Sequence, residues 1–387
     1  MNDLTQRYNY VTNIIPDPAI IWNAIRTKAI IPYQVELQPG PIKGPLCWLK
    51  CPYCYGGAAS DSGDRLTPER YVEIMHELAS GGVSKIVFAG YATDPLNYEN
   101  LHDLVRIAID AGQIIGFHTK ALNIDERLLR LLTEQKLADK SYFSVSVDAG
   151  TDIIYNRVHG IGNLKARPLS RVIDNLSELT RRRSANGGKF DISATYLVNQ
   201  LNCERDEIIK AIEGLRGAGV DLIRFTFPQM PRKGISQDLS CYVPDRQKIE
   251  DIMPELVDIV AQENSDACQI IVRDMDKEFD TIDLPRSLPC FARFIFPTVG
   301  FDGRLYHCSE SASSDFRALS LGNLATSNFW ECYYGYEIHN IESVLSVACK
   351  QMTEAECKCD RKEHGVNAVL RSHVESQLGE IEWAANL

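Results

Sequence analysis

The chain has 387 residues, 24% of them charged, and a formal net charge of −11. An acidic protein of ordinary hydrophobicity is poorly suited to holding a phosphate backbone by charge, so we expect no nucleic-acid partner. No apolar run approaches the roughly 20 residues that span a bilayer, and the first residues, MNDLTQRYNY, lack a signal-peptide pattern. We therefore expect a cytoplasmic protein with no membrane partner.

The chain from residue 33 to about 227 alternates apolar strand patterns with helical patterns. The clearest helix is TPERYVEIMHELASGG, in which Thr67 caps the first turn, Pro68 takes the first helical position and Gly81 or Gly82 ends the helix. The strand candidates are short apolar runs between turn signals, at 33–38, 85–89, 114–118, 142–148, 191–198 and 221–227. Strands that alternate with helices predict a parallel sheet with right-handed crossovers.

Six strand–helix units are too few for a complete eight-stranded barrel, so the sequence predicts an α/β fold with a partial barrel or an open sheet. In either case the chemistry belongs at the carboxyl ends of the strands. After a helix at about 245–264 and a strand at 269–273, FIFPTVGFDGRLYHC predicts a hairpin that turns at Asp302 and Gly303. We expect five segments: an N-terminal extension (1–30), a barrel (31–235), a bridging helix and strand (236–284), a small cysteine-rich domain (285–365) and a closing helix (366–387).

The twelve cysteines are expected to be mostly reduced because the chain shows no export signal. Tight groups of cysteines in such a chain are more often metal ligands than disulfide partners. Three lie between residues 47 and 54, in the loop after the first strand candidate, and six lie between 290 and 359. The isolated ones are expected to be buried thiols: Cys203, Cys241 and Cys268.

The stretch CWLKCPYCYGG places Cys47, Cys51 and Cys54 in one short loop. A structural zinc site needs four ligands, and the nearest histidine, His76, lies on the predicted helix at 67–80, so zinc is the less favoured alternative. A group of three thiols without a metal is less favoured still. A [4Fe–4S] cluster held by three thiolates keeps one iron open to an outside ligand. The loop therefore predicts a cluster that reserves one iron for a substrate or cofactor.

The spacing Cys47-x-x-x-Cys51-x-x-Cys54, with Tyr53 just before the last cysteine, resembles the signature of radical S-adenosylmethionine (SAM) enzymes. The resemblance covers about residues 30–235 and implies that family's partial (β/α)6 TIM-like barrel. It implies that SAM chelates the open iron and that an electron cleaves SAM to methionine and a 5′-deoxyadenosyl radical. That radical would remove hydrogen from an unactivated C–H bond, and a flavodoxin or ferredoxin would supply the electron.

The resemblance also suggests residues that hold SAM. Relatives usually carry Gly-Gly-Glu-Pro after strand two, where this chain has AGYATDPLNY. Gly90 takes the glycine role and Asp94 the acidic role, with an ordinary turn at Asp94 as the alternative. After strand four, Ser146 and Asp148 are placed beside the SAM ribose and Arg157 at the SAM carboxylate. The alternative for the strand-four residues is a polar barrel interior without a ligand.

A second resemblance concerns the cysteine-rich stretch. Cys290, Gly303 and Cys308, followed by LGN at 321–323 and by Trp330, are similar to the opening of the SPASM/twitch extension behind many radical SAM barrels. Relatives carry one or two auxiliary clusters, and two complete clusters would need more cysteines than this region has. The resemblance therefore implies one auxiliary [4Fe–4S] cluster, with zinc as the alternative. Its ligands would be Cys290 and Cys308 with two of Cys349, Cys357 and Cys359.

Three single residues have two interpretations each. His118 and Lys120, at the end of strand three, are candidates for substrate contact or for a solvated loop. Cys332 is either a buried thiol or a catalytic hydrogen-atom donor to a substrate radical.

The expected substrate is a small molecule of natural product biosynthesis, such as a sugar, nucleoside or amino-acid-derived intermediate that undergoes dehydrogenation, epimerisation or decarboxylation. The alternative is a ribosomally made peptide or protein side chain. Many relatives that modify peptides carry a leader-binding domain before the barrel. The 46 residues that precede Cys47 here are too few for that domain, which favours the small molecule. A separate leader-binding partner would remove that argument. An iron–sulfur electron carrier is the non-enzyme alternative.

Overall fold

The computed structural model describes residues 14–54, 61, 63–90, 93–228, 239–272, 290–336, 359 and 361–378. The chain divides into two compact units. The first unit comprises Met1–Pro39, Ala59–Val87 and Asp280–Leu387. The second unit comprises Gly40–Ala58 and Phe88–Phe279, and so contains the cysteine loop at 47–54 and most of the strand–helix repeat.

The structure confirms the predicted alternation of strands and helices. Its helices are α1 (Pro18–Arg26), α2 (Pro68–Ser80), α3 (Leu101–Asp110), α4 (Glu126–Glu134), α5 (Asp152–Val158), α6 (Pro168–Ala185), α7 (Arg205–Gly217), α8 (Arg246–Glu263), α9 (Ala292–Ile295), α10 (Phe329–Tyr333) and α11 (Arg361–Leu378). Its strands are β1 (Val35–Leu37), β2 (Lys85–Phe88), β3 (Ile114–Thr119), β4 (Tyr142–Ser146), β5 (Asp191–Leu197), β6 (Leu222–Thr226), β7 (Gln269–Val272), β8 (Thr298–Val299), β9 (Arg304–Tyr306) and β10 (Gly322–Asn323).

The second unit is built on a parallel sheet in the order β3-β4-β5-β6-β7. Phe143 in β4 lies opposite Phe117 in β3 and Ile192 in β5, and all three side chains are buried. A parallel sheet with helices on its faces is apolar along whole strands, which explains the continuous apolar runs in the sequence. Because the strands are parallel, their carboxyl ends meet at one edge, where the predicted site residues follow β3 and β4.

The helices of this unit begin at residues that suit a helix start. Asp125 caps α4 by accepting a hydrogen bond from the amide of Leu128 at 2.7 Å, and Thr151 caps α5. Pro168 occupies the first position of α6, where its missing N–H costs no hydrogen bond. The buried faces of α4 and α6 are lined by leucines, so burial of these side chains stabilises both helices against the sheet.

The first unit combines the N-terminal residues with the C-terminal ones. Its strands follow the order β10-β9-β8-β1-β2, in which β1 pairs parallel with β8. Strands β8 and β9 form the predicted hairpin, and Gly303 turns it with φ +77°, a conformation that glycine adopts without strain. Thr67 caps α2 and Pro68 follows it, as the sequence predicted. The five consecutive segments expected from the sequence stay a prediction.

Candidate active site

The cysteine loop lies in the second unit and is fixed to the segment after α5. Cys47, Cys51 and Cys54 are partly exposed, and the amide of Cys54 donates to the carbonyl oxygen of Cys51 at 3.1 Å, which folds the loop into a turn. The amide of Lys50 donates to the carbonyl oxygen of His159 at 3.0 Å. This approach requires a glycine next to His159, because a Cβ at Gly160 would lie 2.3 Å from the Lys50 oxygen.

Within the part of the chain that the structure describes, no three Cys, His, Asp or Glu side chains are arranged to hold a single metal ion. The zinc alternative needs ligands that converge on one ion. The thiolates of a [4Fe–4S] cluster bind different irons and do not have to converge. The three thiols of one loop supply the number of thiolates that such a cluster needs.

Asp148 connects the loop to the sheet and is fully buried. Its Oδ2 atom accepts hydrogen bonds from the Tyr53 hydroxyl at 3.0 Å and from Lys120 Nζ at 2.8 Å. Its Oδ1 atom accepts one from the amide of Leu197, at the end of β5, at 2.7 Å. We call Tyr53, Lys120, Asp148 and Leu197 the carboxylate network. It joins the cysteine loop to residues at the carboxyl ends of β3, β4 and β5.

The backbone of Asp148 is left-handed, with φ +59°. Aspartate and asparagine adopt this conformation more readily than most residues other than glycine. The residue therefore leaves the extended path of β4, which ends at Ser146. The chain turns after the end of the strand, and this turn aims the Asp148 carboxylate at Tyr53 and Lys120.

The charges of this network stabilise each other. Burial alone would raise the pKa of Asp148, but the charge of Lys120 outweighs it and holds this pKa below its usual value. Burial would lower the pKa of Lys120, but Asp148 and Cys51 raise it. The pair is therefore ionised at neutral pH, with the positive end close to the cysteine loop. Lys120 therefore pairs with Asp148 and does not lie in a solvated loop, while its contact with a substrate stays a prediction.

His159 is a site residue that the sequence analysis missed. Its Nδ1 atom lies 3.2 Å from Cys51 Sγ and 3.5 Å from the Tyr53 hydroxyl. Burial, and then the charge of Lys120, lower the pKa of His159 to about 3, so the ring is neutral at pH 7. The only signal in the sequence was its place eleven residues after Asp148, in the same stretch that carries Arg157. The contact depends on how the chain turns after α5, which no local pattern indicates.

Asp94 caps a short 3-10 helix at Pro95–Asn97 by accepting from the amide of Leu96 at 3.0 Å. Its carboxylate also accepts from the Thr119 hydroxyl at 2.7 Å and from the amide of Lys120 at 2.7 Å. Burial raises its pKa despite these bonds. The turn considered as the alternative is therefore present, and the carboxylate is also joined to the end of β3. Its contact with SAM stays a prediction.

The remaining predicted site residues differ in how far their side chains are exposed. A Cβ at Gly90 would lie 1.9 Å from the Thr93 carbonyl oxygen, so only glycine fits there. Ser146 is half-buried at the last position of β4. Arg157 is exposed on α5. His118 is exposed, and its Nε2 atom lies 3.0 Å from the Tyr142 hydroxyl. Tyr53 thus contacts Asp148 directly, and Lys120 bonds both Asp94 and Asp148, while the contact of Arg157 with SAM stays a prediction.

The residues at this edge suit an iron–sulfur cluster with a polar cofactor. Three thiols in one loop supply the donor set of a cluster with one open iron. Among the described residues, the buried hydroxyl groups of Thr93 and Tyr155 have no hydrogen-bond partner. Burial, and then the charges of Asp148 and Cys51, raise the pKa of Tyr155 well above its usual value, so it keeps its proton as a donor. Buried donors without a partner are expected where a ligand completes the hydrogen bonding.

The C-terminal cysteines lie in the first unit. Cys308 is buried and Cys290 is partly exposed. The Nδ2 atom of Asn367 lies 3.9 Å from Cys359 Sγ, while its Oδ1 atom accepts from the amide of Phe291 at 2.7 Å. Asn367 on α11 thus connects Cys359 to the residue beside Cys290. Cys349 and Cys357 lie outside the described residues.

Cys332 and the three isolated cysteines differ in how far they are buried. Cys332 on α10 is buried against Gly322, where a Cβ would lie 2.3 Å from its sulfur. This packing agrees with the buried-thiol interpretation of Cys332, and its catalytic role stays a prediction. Cys268 is buried as expected. The expectation was wrong for Cys241, which is exposed because it lies in a turn before α8, and Cys203 is partly exposed.

Comparison with known proteins decides the class of this site. Residues 42–192, which include the cysteine loop, Asp94, Asp148 and His159, match the model of the Radical SAM superfamily. The chain contains a radical SAM domain. Proteins of this superfamily use a [4Fe–4S] cluster and SAM, so the match confirms the cluster and the SAM that were predicted for the cysteine loop.

One similar protein is PqqA peptide cyclase from Bradyrhizobium diazoefficiens. It is 30% identical over 124 residues, which are 32% of this chain and 31% of that protein. The match therefore spans about a third of the relative's length.

Solved structures share the fold. SuiB from Streptococcus suis bound to S-adenosylmethionine has a TM-score of 0.57 and 14% sequence identity, over 83% of this chain and 70% of that chain. The anSMEcpe protein with bound AdoMet has a TM-score of 0.56 and 15% sequence identity, over 89% of this chain and 96% of that chain. These likenesses confirm the predicted α/β fold with a parallel sheet of the partial TIM-barrel type. In the described part of the chain, no helix is long and apolar enough to cross a membrane.

Proposed function

We propose that this protein is a radical SAM enzyme that modifies a peptide or protein side chain by removing hydrogen from an unactivated C–H bond. The observation that carries the chemistry is the loop of Cys47, Cys51 and Cys54, joined to buried charges at the carboxyl ends of the strands. The similarity to PqqA peptide cyclase supports the choice of a peptide. A small molecule, which the sequence favoured, is the competing outcome of the test below.

Cys47, Cys51 and Cys54 would hold the cluster, and Asp94, Thr93 and Tyr155 lie where polar groups of SAM would find partners. When bound, the cluster and SAM supply a carbon-centred radical that can remove a hydrogen atom from an unactivated carbon. The three thiols must lose their protons to bind iron. Burial raises the pKa of the Cys51 thiol to about 12, while the charge of Lys120 favours its thiolate.

The carboxylate network has a positioning role in this proposal. Tyr53 lies between Cys51 and Cys54 in sequence, so its bond to Asp148 fixes the loop that carries the ligands. Tyr53 and Asp148 are buried, and Tyr242 packs against the Tyr53 ring with 6.1 Å between centroids. These side chains exclude water from the inner face of the loop, which limits side reactions of a radical.

We also propose one auxiliary [4Fe–4S] cluster in the first unit, and reduction of the SAM-binding cluster by a flavodoxin or ferredoxin in the cytoplasm. Support for the auxiliary cluster comes from Asn367, which links Cys359 to Phe291 beside Cys290. Cys290 and Cys308 would be ligands, together with two of Cys349, Cys357 and Cys359.

The test has two stages. The full chain is reconstituted anaerobically with iron and sulfide, reduced with dithionite and incubated with SAM, and 5′-deoxyadenosine is measured. We expect its formation in the wild type and its loss in Cys51→Ala, with Cys268→Ala as the matched control. No 5′-deoxyadenosine above the Cys51→Ala level would contradict the radical chemistry.

The second stage identifies the substrate class. Cells that naturally make the protein are grown in deuterated medium, and their extract is divided by dialysis into a retained and a diffusible fraction. A peptide or protein substrate should pass deuterium into 5′-deoxyadenosine from the retained fraction, and protease treatment should abolish the transfer. Deuterium from the diffusible fraction, unaffected by protease, would favour the small molecule over the peptide.

A further inference from the structure

The side chain of His159 lies directly behind one cysteine of the loop. Its Nδ1 atom is 3.2 Å from Cys51 Sγ, close enough for a hydrogen bond to sulfur. The ring is fully buried, and Tyr155 packs edge-on against it with 4.2 Å between ring centroids. This packing leaves the imidazole little freedom to turn away from Cys51.

The backbone holds the same two segments together. The amide of Lys50, the residue before Cys51, donates to the carbonyl oxygen of His159 at 3.0 Å. Gly160 has φ +64° and no side chain, which leaves room for this approach. A backbone bond and a side-chain contact therefore fix Cys51 relative to His159 independently of each other.

The direction of the hydrogen bond follows from the acceptors around the ring. A thiolate sulfur bound to iron carries no hydrogen, so its contact with Nδ1 is attractive only when Nδ1 is the donor. The other nitrogen, Nε2, lies 3.4 Å from the Val147 carbonyl oxygen and 3.7 Å from Asp148 Oδ2. Both neighbours of Nε2 are acceptors, but these two distances exceed the usual N–H···O range, whereas the 3.2 Å contact of Nδ1 with the larger sulfur atom is a close one. The geometry favours hydrogen on Nδ1 once iron is bound.

We propose that His159 donates a hydrogen bond from Nδ1 to the Cys51 sulfur, positions this cluster ligand and raises the reduction potential of the cluster. A hydrogen bond to a ligating sulfur stabilises the reduced, more negatively charged form of an iron–sulfur cluster. His159 is thus a positioning residue that acts through Cys51. The inference rests on the proposed function, because it requires a cluster on the cysteine loop.

The test uses the anaerobically reconstituted full chain and three variants. His159→Phe keeps a flat ring without a donor, and His159→Gln keeps polarity but reaches toward the position of Nε2. His159→Asn places an amide N–H near the position of Nδ1. The midpoint potential is measured by a dithionite titration followed by electron paramagnetic resonance, and the signal that changes on addition of SAM identifies the loop cluster.

We expect a more negative potential in His159→Phe and His159→Gln, and a potential close to wild type in His159→Asn. His76→Asn, an exposed histidine on α2, is the matched control and should leave the potential unchanged. If His159→Phe binds no iron, the midpoint potential of His159→Gln tests the inference in its place. A donor-less variant with full iron content and the wild-type potential overturns the inference and leaves the proposed function intact. Wild-type protein that binds no iron through Cys47, Cys51 and Cys54 overturns the proposed function instead.

Discussion

The hydroxyl group of Tyr53 donates a hydrogen bond to the Asp148 carboxylate at 3.0 Å, across 95 positions of the chain. Tyr53 belongs to the cysteine loop and Asp148 to the turn after β4. The loop that supplies the three thiols is therefore fixed by a residue that the sheet itself places.

Replacing Tyr53 by phenylalanine keeps the ring and removes the hydroxyl group, with its bond to Asp148 and its longer contact with His159. We expect the free energy of unfolding to fall by about 1–3 kcal/mol, because a charged acceptor loses one buried donor. Less iron should also be retained after reconstitution, since the loop is less firmly placed. Chemical denaturation and iron analysis measure both effects. Tyr242→Phe removes a neighbouring hydroxyl that has no bond to Asp148 and is the control; equal losses in both variants would contradict the prediction.

Replacing Asp148 by asparagine removes the negative charge while tolerating the left-handed backbone. Lys120 is then a partly buried cation without its anion, and we expect a loss of up to about 3 kcal/mol in the free energy of unfolding. In the double variant Asp148→Asn/Lys120→Met the charge is gone on both sides, so part of the stability should return. Denaturant unfolding of the four proteins in this cycle measures the coupling, and strictly additive losses would show that the pair is not coupled.

The stability that Asp148 contributes should depend on pH. Burial would raise its pKa, but the charge of Lys120 lowers it below the unfolded value. A carboxyl with a lowered folded pKa contributes stability above its unfolded pKa of about 3.9 and loses it as the pH falls through the folded pKa. The difference in unfolding free energy between wild type and Asp148→Asn should be constant near neutral pH and shrink on acidification below about pH 4. A difference in unfolding free energy that grows on acidification would contradict this prediction.

Replacing Gly90 by alanine places a Cβ 1.9 Å from the Thr93 carbonyl oxygen, so the backbone before Asp94 must move. We expect a loss of about 1–3 kcal/mol in stability and weaker SAM binding. Gly162→Ala is the matched control because a Cβ there meets nothing within 4 Å. Thermal unfolding and equilibrium binding of SAM measure the two effects. Unchanged SAM affinity in Gly90→Ala would show that the segment at Gly90 does not help to bind SAM.

Replacing Cys290 or Cys308 by alanine should lower the iron and sulfide content of the reconstituted protein to that of one cluster. The loop cluster and its response to SAM should persist. Iron analysis combined with electron paramagnetic resonance measures this, with the buried Cys268→Ala as control. Zinc in place of iron at these positions would support the zinc alternative instead.

The sequence predicted the fold well because its signals are local. Apolar runs located the strands, and Thr67 and Gly303 predicted a helix start and a turn from their own conformational preferences. The cysteine loop was found because its three ligands are close in sequence. The contact of Cys51 with His159 joins residues 108 positions apart, so spacing could not reveal it. Spacing also could not reveal the pairing of Lys120 with Asp148, because the sequence suggested a separate role for each residue.

The left-handed turn at Asp148 has a consequence for assembly of the enzyme. The carboxylate accepts hydrogen bonds from the amide of Leu197, the hydroxyl of Tyr53 and the ammonium of Lys120, all of which belong to the protein itself. These contacts reduce the number of conformations open to the cysteine loop. Less conformational entropy would therefore be lost when the loop takes up its ligand.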